Sequence, residues 1–247
     1  MRKESSIIIK NGRQYIPDLQ KATLKAPFRG RPEISKALVD EQAMVDLCPT
    51  NAIQSKPLRI DLGKCAFCGE CAFAFPEKIR FTSDHLLATN NRESLVICEE
   101  ESLEIKIDKE RIRPEIKKIF SKSLKLRQVS AGGDNSCETE LNACGNANFD
   151  MGRHGIEFVA SPRHADGVVV TGPITENMAE ALRIAWDAIP QPKLFILCGT
   201  DAISGGIFSE SRAINRKILE EVHVDLWIPG NPPHPLTIIN GLMDLTR

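Results

Sequence analysis

The stretch HADGVVVTGPITENMAEALRIAWDAIPQPKLFILCG, residues 164–199, decides the fold. GVVVT is a continuous β-branched run, the kind found in parallel strands that are buried on both faces. ITENMAEALRIAWDAI then carries apolar residues at helical spacing, with Thr175 placed to N-cap a helix and Glu176 in its first turn. KLFILC is a second buried strand. Strand, helix and strand in this order predict an open parallel sheet with helices on both faces. The pattern continues outward, with GIEFVAS (155–161) before it as a strand. After it come SESRAINRKILEEV (209–222), read as a helix, and VDLWIPG (224–230), read as a closing strand. In such sheets the working loops lie at the carboxyl ends of the strands. Here those loops are TGPIT, CGTDAISGG and IPGNPPHP.

The first half of the chain has a different texture. Residues 1–34 read as a polar arm ending in APFRGRPEI, whose Pro and Gly content disfavours long regular structure. Residues 35–85 read as short helices and strands punctuated by cysteines, with strands at PLRIDLG and KIRFTS. Residues 86–126 form a connector, in which SLVICEEESLEIKIDK (94–109) reads as a charged hairpin. RPEIKKIFSKSLKLR (113–127) reads as a basic amphipathic helix or linker. The α/β domain then occupies 127–247.

Composition narrows the function classes. Thirty-two basic residues against 33 acidic ones leave a formal charge of −1, so no basic field points to nucleic acid. The longest apolar stretches are too short to span a bilayer, and the N-terminus lacks the apolar core of a signal peptide. A cytoplasmic protein is expected. Eight cysteines in such a chain are better read as metal ligands than as disulfides.

Four of the eight lie between positions 48 and 71. In KCAFCGECAFAFPEK (64–78), Cys65, Cys68 and Cys71 stand at C-x2-C-x2-C spacing. A bacterial ferredoxin run would place a fourth cysteine before Pro76, where this chain has Phe75. In two-cluster ferredoxins, however, the cysteine preceding proline ligates the other cluster. The partner should come from an earlier C-P, and DLCPTNAI supplies Cys48 before Pro49. Counting back from Cys48 by the same spacing gives Met44, Glu41 and Leu38. One complete ligand set is therefore absent (positions 38, 41, 44 and 75) and one is intact (Cys48, Cys65, Cys68 and Cys71). A four-cysteine zinc site is the competing reading, although zinc sites usually pair C-x2-C with C-x2-C.

These motifs carry a resemblance. APFRGRPEI, DLCPTNAI and IDLGKCAFCGECAFAFPEKIRFT resemble the ferredoxin-type subunit of formate hydrogenlyase and respiratory complex I. VSAGGDNSCETEL, SPRHADGVVVTGPITENM, CGTDAISGGIF and WIPGNPPHP resemble the small subunit of membrane-bound, complex I-related [NiFe] hydrogenases, the counterpart of the complex I 20-kDa subunit. The chain thus looks like a fusion of two neighbouring subunits. The resemblance implies an α/β protein with an N-terminal α+β ferredoxin-like domain holding one [4Fe–4S] cluster, and a C-terminal flavodoxin-like open parallel sheet. It implies a hydrogenase-like large subunit (complex I 49-kDa-like) as partner. It also implies indirect association with a membrane module, hence a peripheral place on the inner face of the cell membrane.

Small subunits of this kind carry a proximal [4Fe–4S] cluster. Its ligand positions fall here on Ala131, Asp134, Cys137, Asp201 and Asn231, and only Cys137 is a cysteine. Asp and Asn are poor ligands for a cubane, so that cluster is expected to be absent. Asp134, Cys137, Asp201, Asn231 and His234 would suit a harder ion, or would simply hydrogen-bond among themselves. Cys98 and Cys198 read as inert thiols, and Cys137 and Cys144 as two positions on one helical face. Arg163 and His164 read as a loop pair. GGDNS and SGG lack the lysine and spacing of a phosphate loop. With no catalytic pair in view, two functions remain: a non-catalytic electron-transfer subunit, or a structural subunit whose one cluster stabilises its fold.

Overall fold

The computed structural model describes residues 12, 14–99 and 102–247; the start of the expected arm, residues 1–11 and 13, lies outside them. The N-terminal part runs β1 (Pro32–Ile34), α1 (Glu41–Leu47), β2 (Ile53–Gln54), β3 (Arg59–Asp61), α2 (Glu70–Ala74) and β4 (Ile79–Phe81). β1 pairs antiparallel with β4, and β2 pairs antiparallel with β3. The short strands expected in PLRIDLG and KIRFTS are therefore present. Asp40 caps α1 by accepting from the backbone N–H groups of Gln42 and Ala43.

β5 (Val96–Cys98) adds to β3 as a third antiparallel strand. This corrects the hairpin expected over 94–109, because among the described residues 103–107 form no strand. Side chains reach the end of this segment instead: Thr89 Oγ1 donates to the Lys106 carbonyl at 2.8 Å, and Asn90 Nδ2 donates to the Asp108 carbonyl at 2.9 Å. α3 (Pro114–Phe120) realises the first half of the basic segment, and Leu124 already begins β6 (Leu124–Ser130), so its second half is a strand.

The C-terminal part continues with α4 (Ser136–Ala143), β7 (Ile156–Phe158), β8 (Gly167–Thr171), α5 (Glu176–Ala188), β9 (Leu194–Cys198), α6 (Thr200–Ser204), α7 (Ile218–Glu221), β10 (Leu226–Ile228) and α8 (Pro235–Thr246). The five strands lie in the order β10-β9-β8-β6-β7, every pair parallel. Read from β7, this is the 2-1-3-4-5 order of a flavodoxin-type doubly wound sheet, whose switch point falls between β6 and β8.

Strand periodicity sorts the core into two layers. Val168, Val170, Phe195 and Leu197 face α5 through Leu182, and the same core contains Met44, Leu58, Ile60 and Phe67 from the N-terminal part. Val169, Leu194, Ile196 and Cys198 face the other way, onto Leu141 of α4 and the α8 residues Leu236, Ile239 and Leu242. Ten of the twelve α8 residues are buried, as expected of a helix apolar nearly all round. Each fully buried Leu or Ile contributes roughly 1.5–3 kcal/mol relative to exposure.

Two local expectations are revised. The segment 209–222 forms only the short α7, because its preceding residues bond to the loop after β8: Glu176 N–H donates to Ala213 O and Asn215 N–H to Ile174 O. Thr175 does occupy the N-cap position of α5, but its side chain accepts no capping hydrogen bond.

Candidate functional site

The four cysteines of the intact set come from two separated segments and line a single pocket. Cys48 follows α1, Cys65 and Cys68 lie on the loop after β3, and Cys71 sits in α2. The pocket is tight, with room for about 20 Å³ of water, and apolar side chains such as Ile53, Ile60 and Phe81 wall it. Backbone N–H groups point at the sulfurs: Ala52 N–H donates to Cys48 Sγ and Phe67 N–H to Cys65 Sγ, each at 3.3 Å. Cys65 is buried and Cys68 exposed, so the pocket reaches the surface on one side. As free thiols, Cys65 and Cys71 are held protonated. Burial first, and then the neighbouring cysteines, push Cys65 up to about 12, and burial pushes Cys71 up to about 11.

At the positions of the absent set, Met44 is fully buried and packs in the core that includes Cys65, with Phe75 packed against it. Leu38 is wholly exposed.

The second candidate site lies at the switch point. Glu138 is buried, and its Oε1 accepts from Ser130 Oγ at 2.5 Å and from Thr171 Oγ1 at 2.6 Å, clasping the ends of β6 and β8. Cys137 is pushed up to about 12 by burial and by the nearby carboxylates of Glu138, Asp201 and Asp134. Asp134 is exposed and turned onto Ser136, whose hydroxyl donates at 2.6 Å and lowers its carboxyl. Asp201 is raised by burial and by Asp134. Asn231 and His234 line a neighbouring pocket with Phe28, Arg29 and Phe67. The structure thus groups Asp134, Cys137 and Asp201 and sets Asn231 and His234 beside them. Among the described residues no three His, Cys, Asp or Glu side chains, the four thiols included, converge tightly enough to hold a single metal ion.

Arg216 was not singled out by the sequence and is the best-engaged side chain here. Its guanidinium donates to the carbonyls of Pro173, Asp201, Ala202 and Ile203 at 2.7–3.2 Å, stitching α6 to the loop after β8. Burial lowers its pKa to about 10. Nothing in its local sequence signals this, because the partners are backbone carbonyls of distant residues. Thr200 was missed for the same reason. Its hydroxyl donates to Cys65 O at 2.8 Å, joining the four-cysteine loop to the switch-point loops. Cys137 and Cys144 are both buried on or at the end of α4, and Cys198 is fully buried with its thiol raised, as inert core thiols would be. Arg163 and His164 are exposed on a short 3-10 turn, Pro162–His164.

A five-stranded doubly wound sheet with a glycine-lined switch point defines a flavodoxin-order α/β protein. Residues 135–245 match the family described as NADH ubiquinone oxidoreductase, 20 Kd subunit. A probable membrane-bound hydrogenase subunit, mbhJ, of Pyrococcus furiosus is 34% identical over 126 residues, covering 51% of this chain and 75% of the relative. An uncharacterized protein of Methanocaldococcus jannaschii is 37% identical over 129 residues, covering 52% and 86%. An NADH-quinone oxidoreductase subunit of Desulfovibrio desulfuricans is 40% identical over 109 residues, covering 44% and 59%. The chain belongs to this 20-kDa subunit family through its C-terminal half. The four-cysteine pocket lies outside the matched residues. No helix among the described residues is long and apolar enough to cross a membrane.

Proposed function

We propose that the protein is an iron–sulfur electron-transfer subunit of a membrane-associated, hydrogenase-like or complex I-like oxidoreductase. Its 35–85 region acts as a ferredoxin-like domain with one [4Fe–4S] cluster on Cys48, Cys65, Cys68 and Cys71, and 127–247 is the small-subunit domain. The observation that carries this reading is the convergence of those four cysteines on one apolar pocket with backbone N–H groups directed at sulfur. The βαββαβ order of the N-terminal part, with β1 beside β4 and β2 beside β3, supports it further. A C-x2-C-x2-C triplet with a distant C-P favours a cubane over zinc, whose sites usually pair C-x2-C with C-x2-C. When bound, the cluster takes up and gives away one electron at a time. The chain's own part is to exclude water through the apolar wall and stabilise sulfur charge through the N–H donors.

The relatives' names support a partner among hydrogenase or quinone-oxidoreductase subunits. A hydrogenase-like large subunit would cover the switch-point face, with the membrane module reached through it from the cytoplasmic side. The proximal cluster is proposed to be absent, because Asp134, Asp201 and Asn231 replace thiolates. That replacement favours one second reading, a structural subunit whose cluster only stabilises its fold.

The test is iron and sulfide analysis with low-temperature EPR on anaerobically purified, dithionite-reduced protein. About four irons per chain and one cubane signal, lost in Cys65→Ser, are expected. About eight irons would restore a proximal cluster, and zinc in place of iron would leave only the structural reading.

A further inference from the structure

The loop between the third and fourth cysteines of the pocket carries a cation from the N-terminal arm. Gly69, between Cys68 and Glu70, has φ +83° and N-caps α2, the helix that holds Cys71. A Cβ at Gly69 would sit 2.6 Å from Arg29 Nε and 3.4 Å from Arg29 Cζ. The guanidinium therefore lies directly on the backbone joining two of the four proposed ligands.

Its position is fixed from both sides. The Phe28 ring packs edge-on against His234, centroids 5.6 Å apart. Gly30 N–H donates to Thr82 O at 2.8 Å and Arg31 N–H to Asp84 O at 3.1 Å. Any Cβ at Gly30 would fall 1.9 Å from Asp84 O, so this approach of the arm requires glycine. Among the described residues the arginines in ion pairs are Arg80, Arg92, Arg111, Arg113 and Arg183; Arg29 is not one of them. Among the described residues no carboxylate pairs with it where it lies over the cysteine loop.

We infer that Arg29 is a positioning residue that raises the reduction potential of a cluster held by Cys48, Cys65, Cys68 and Cys71. The inference rests on the cluster reading above. Reduction adds one negative charge to a cluster, and a fixed positive charge nearby stabilises the reduced form over the oxidised one. A merely structural arginine would leave the potential where it is.

The test is an anaerobic redox titration of the full chain followed by EPR, one electron per cluster being supplied by dithionite through mediators. Wild type, Arg29→Gln and Arg29→Lys are compared at equal iron content. The midpoint of Arg29→Gln is expected to move to lower potential, while Arg29→Lys, which keeps the charge, stays near wild type. A midpoint of Arg29→Gln that coincides with wild type overturns the inference. The salt dependence gives a second reading. Arg29 is exposed and salt screens its charge, so the gap between the midpoints of wild type and Arg29→Gln should narrow as ionic strength rises. A gap that does not narrow with salt overturns the inference. A wild type with no iron–sulfur signal removes the cluster reading itself, which is distinguishable from a cluster that is present but indifferent to Arg29.

Discussion

His234 shows how one side chain can tie a loop, a helix and the arm together. Its Nδ1 accepts from Leu236 N–H at 3.1 Å and so caps α8, while the rings of Phe28 and Phe149 meet it edge-on at 5.6 Å. Burial, and then the nearby His85, pull its pKa down to about 4 from the ordinary 6.5. The unfolded chain takes up a proton near 6.5 and the folded chain resists until about 4. The stabilising contribution is therefore complete above pH 6.5, declines as pH falls through that window, and is gone below about 4. Buried Asp225 and half-buried Asp201 and Asp244 are raised and act with the opposite sign, so a difference between two proteins isolates His234. His234→Asn keeps a capping acceptor and removes the titration. Its thermal midpoint should lose less than that of wild type between pH 6.5 and pH 4, measured by circular dichroism. Parallel curves for the two proteins would show that folding does not shift the titration of the imidazole.

The loops after β6 and β8 cross in close contact. Gly172, at φ +75°, lies so near Gly133 that a Cβ would sit 2.4 Å from the Gly133 nitrogen, which is backbone and cannot rotate away. Gly172→Ala combines a disfavoured φ with that clash and should cost about 2 kcal/mol or more in denaturant unfolding; a loss under about 0.5 kcal/mol would mean that the switch point yields freely. Residues 164–199 revealed their strands and helix because β8 and β9 are buried on both faces and so are uniformly apolar. The four-cysteine set was equally legible, since its spacing is a property of the chain itself. α8 was not read, because PLTIINGLMDLT is apolar nearly all round and so lacks a periodic face. The helix expected over 209–222 was shortened by contacts with residues 174–176, which local sequence cannot show. The same holds for Arg216, whose four acceptors are carbonyls brought together only by the fold.

At the scale of the molecule, the cysteine-bearing part and the parallel sheet do not meet as two independently closed bodies. One face of the sheet shares its core with Leu58, Ile60, Leu62 and Phe67. Ala88 of the connector packs on Gly241 of α8, where a Cβ would be 2.4 Å away, and Thr89 bridges to Trp227 at the edge of β10. Arm residues bond to both parts: Leu19 O accepts from Asn240 Nδ2, and Gly30 N–H donates to Thr82 O. Shared apolar cores unfold together, so if the proposed cluster is loaded, loss of its visible absorbance and loss of helical circular dichroism should coincide in one denaturant transition. The most direct polar tie is Thr200, whose buried hydroxyl donates to Cys65 O and also lies 3.2 Å from Gly230 O. Thr200→Val leaves the Cys65 carbonyl without this donor, while the backbone N–H of residue 200 still serves Gly230 O, and should cost about 1–3 kcal/mol. Its particular mark would be at the cluster, whose absorbance should be lost at lower denaturant than the helical signal once the cysteine loop is untied from α6. Two separate transitions already in the wild type would show that the two parts are merely adjacent, and coincident transitions in Thr200→Val would place the coupling in the shared apolar core alone.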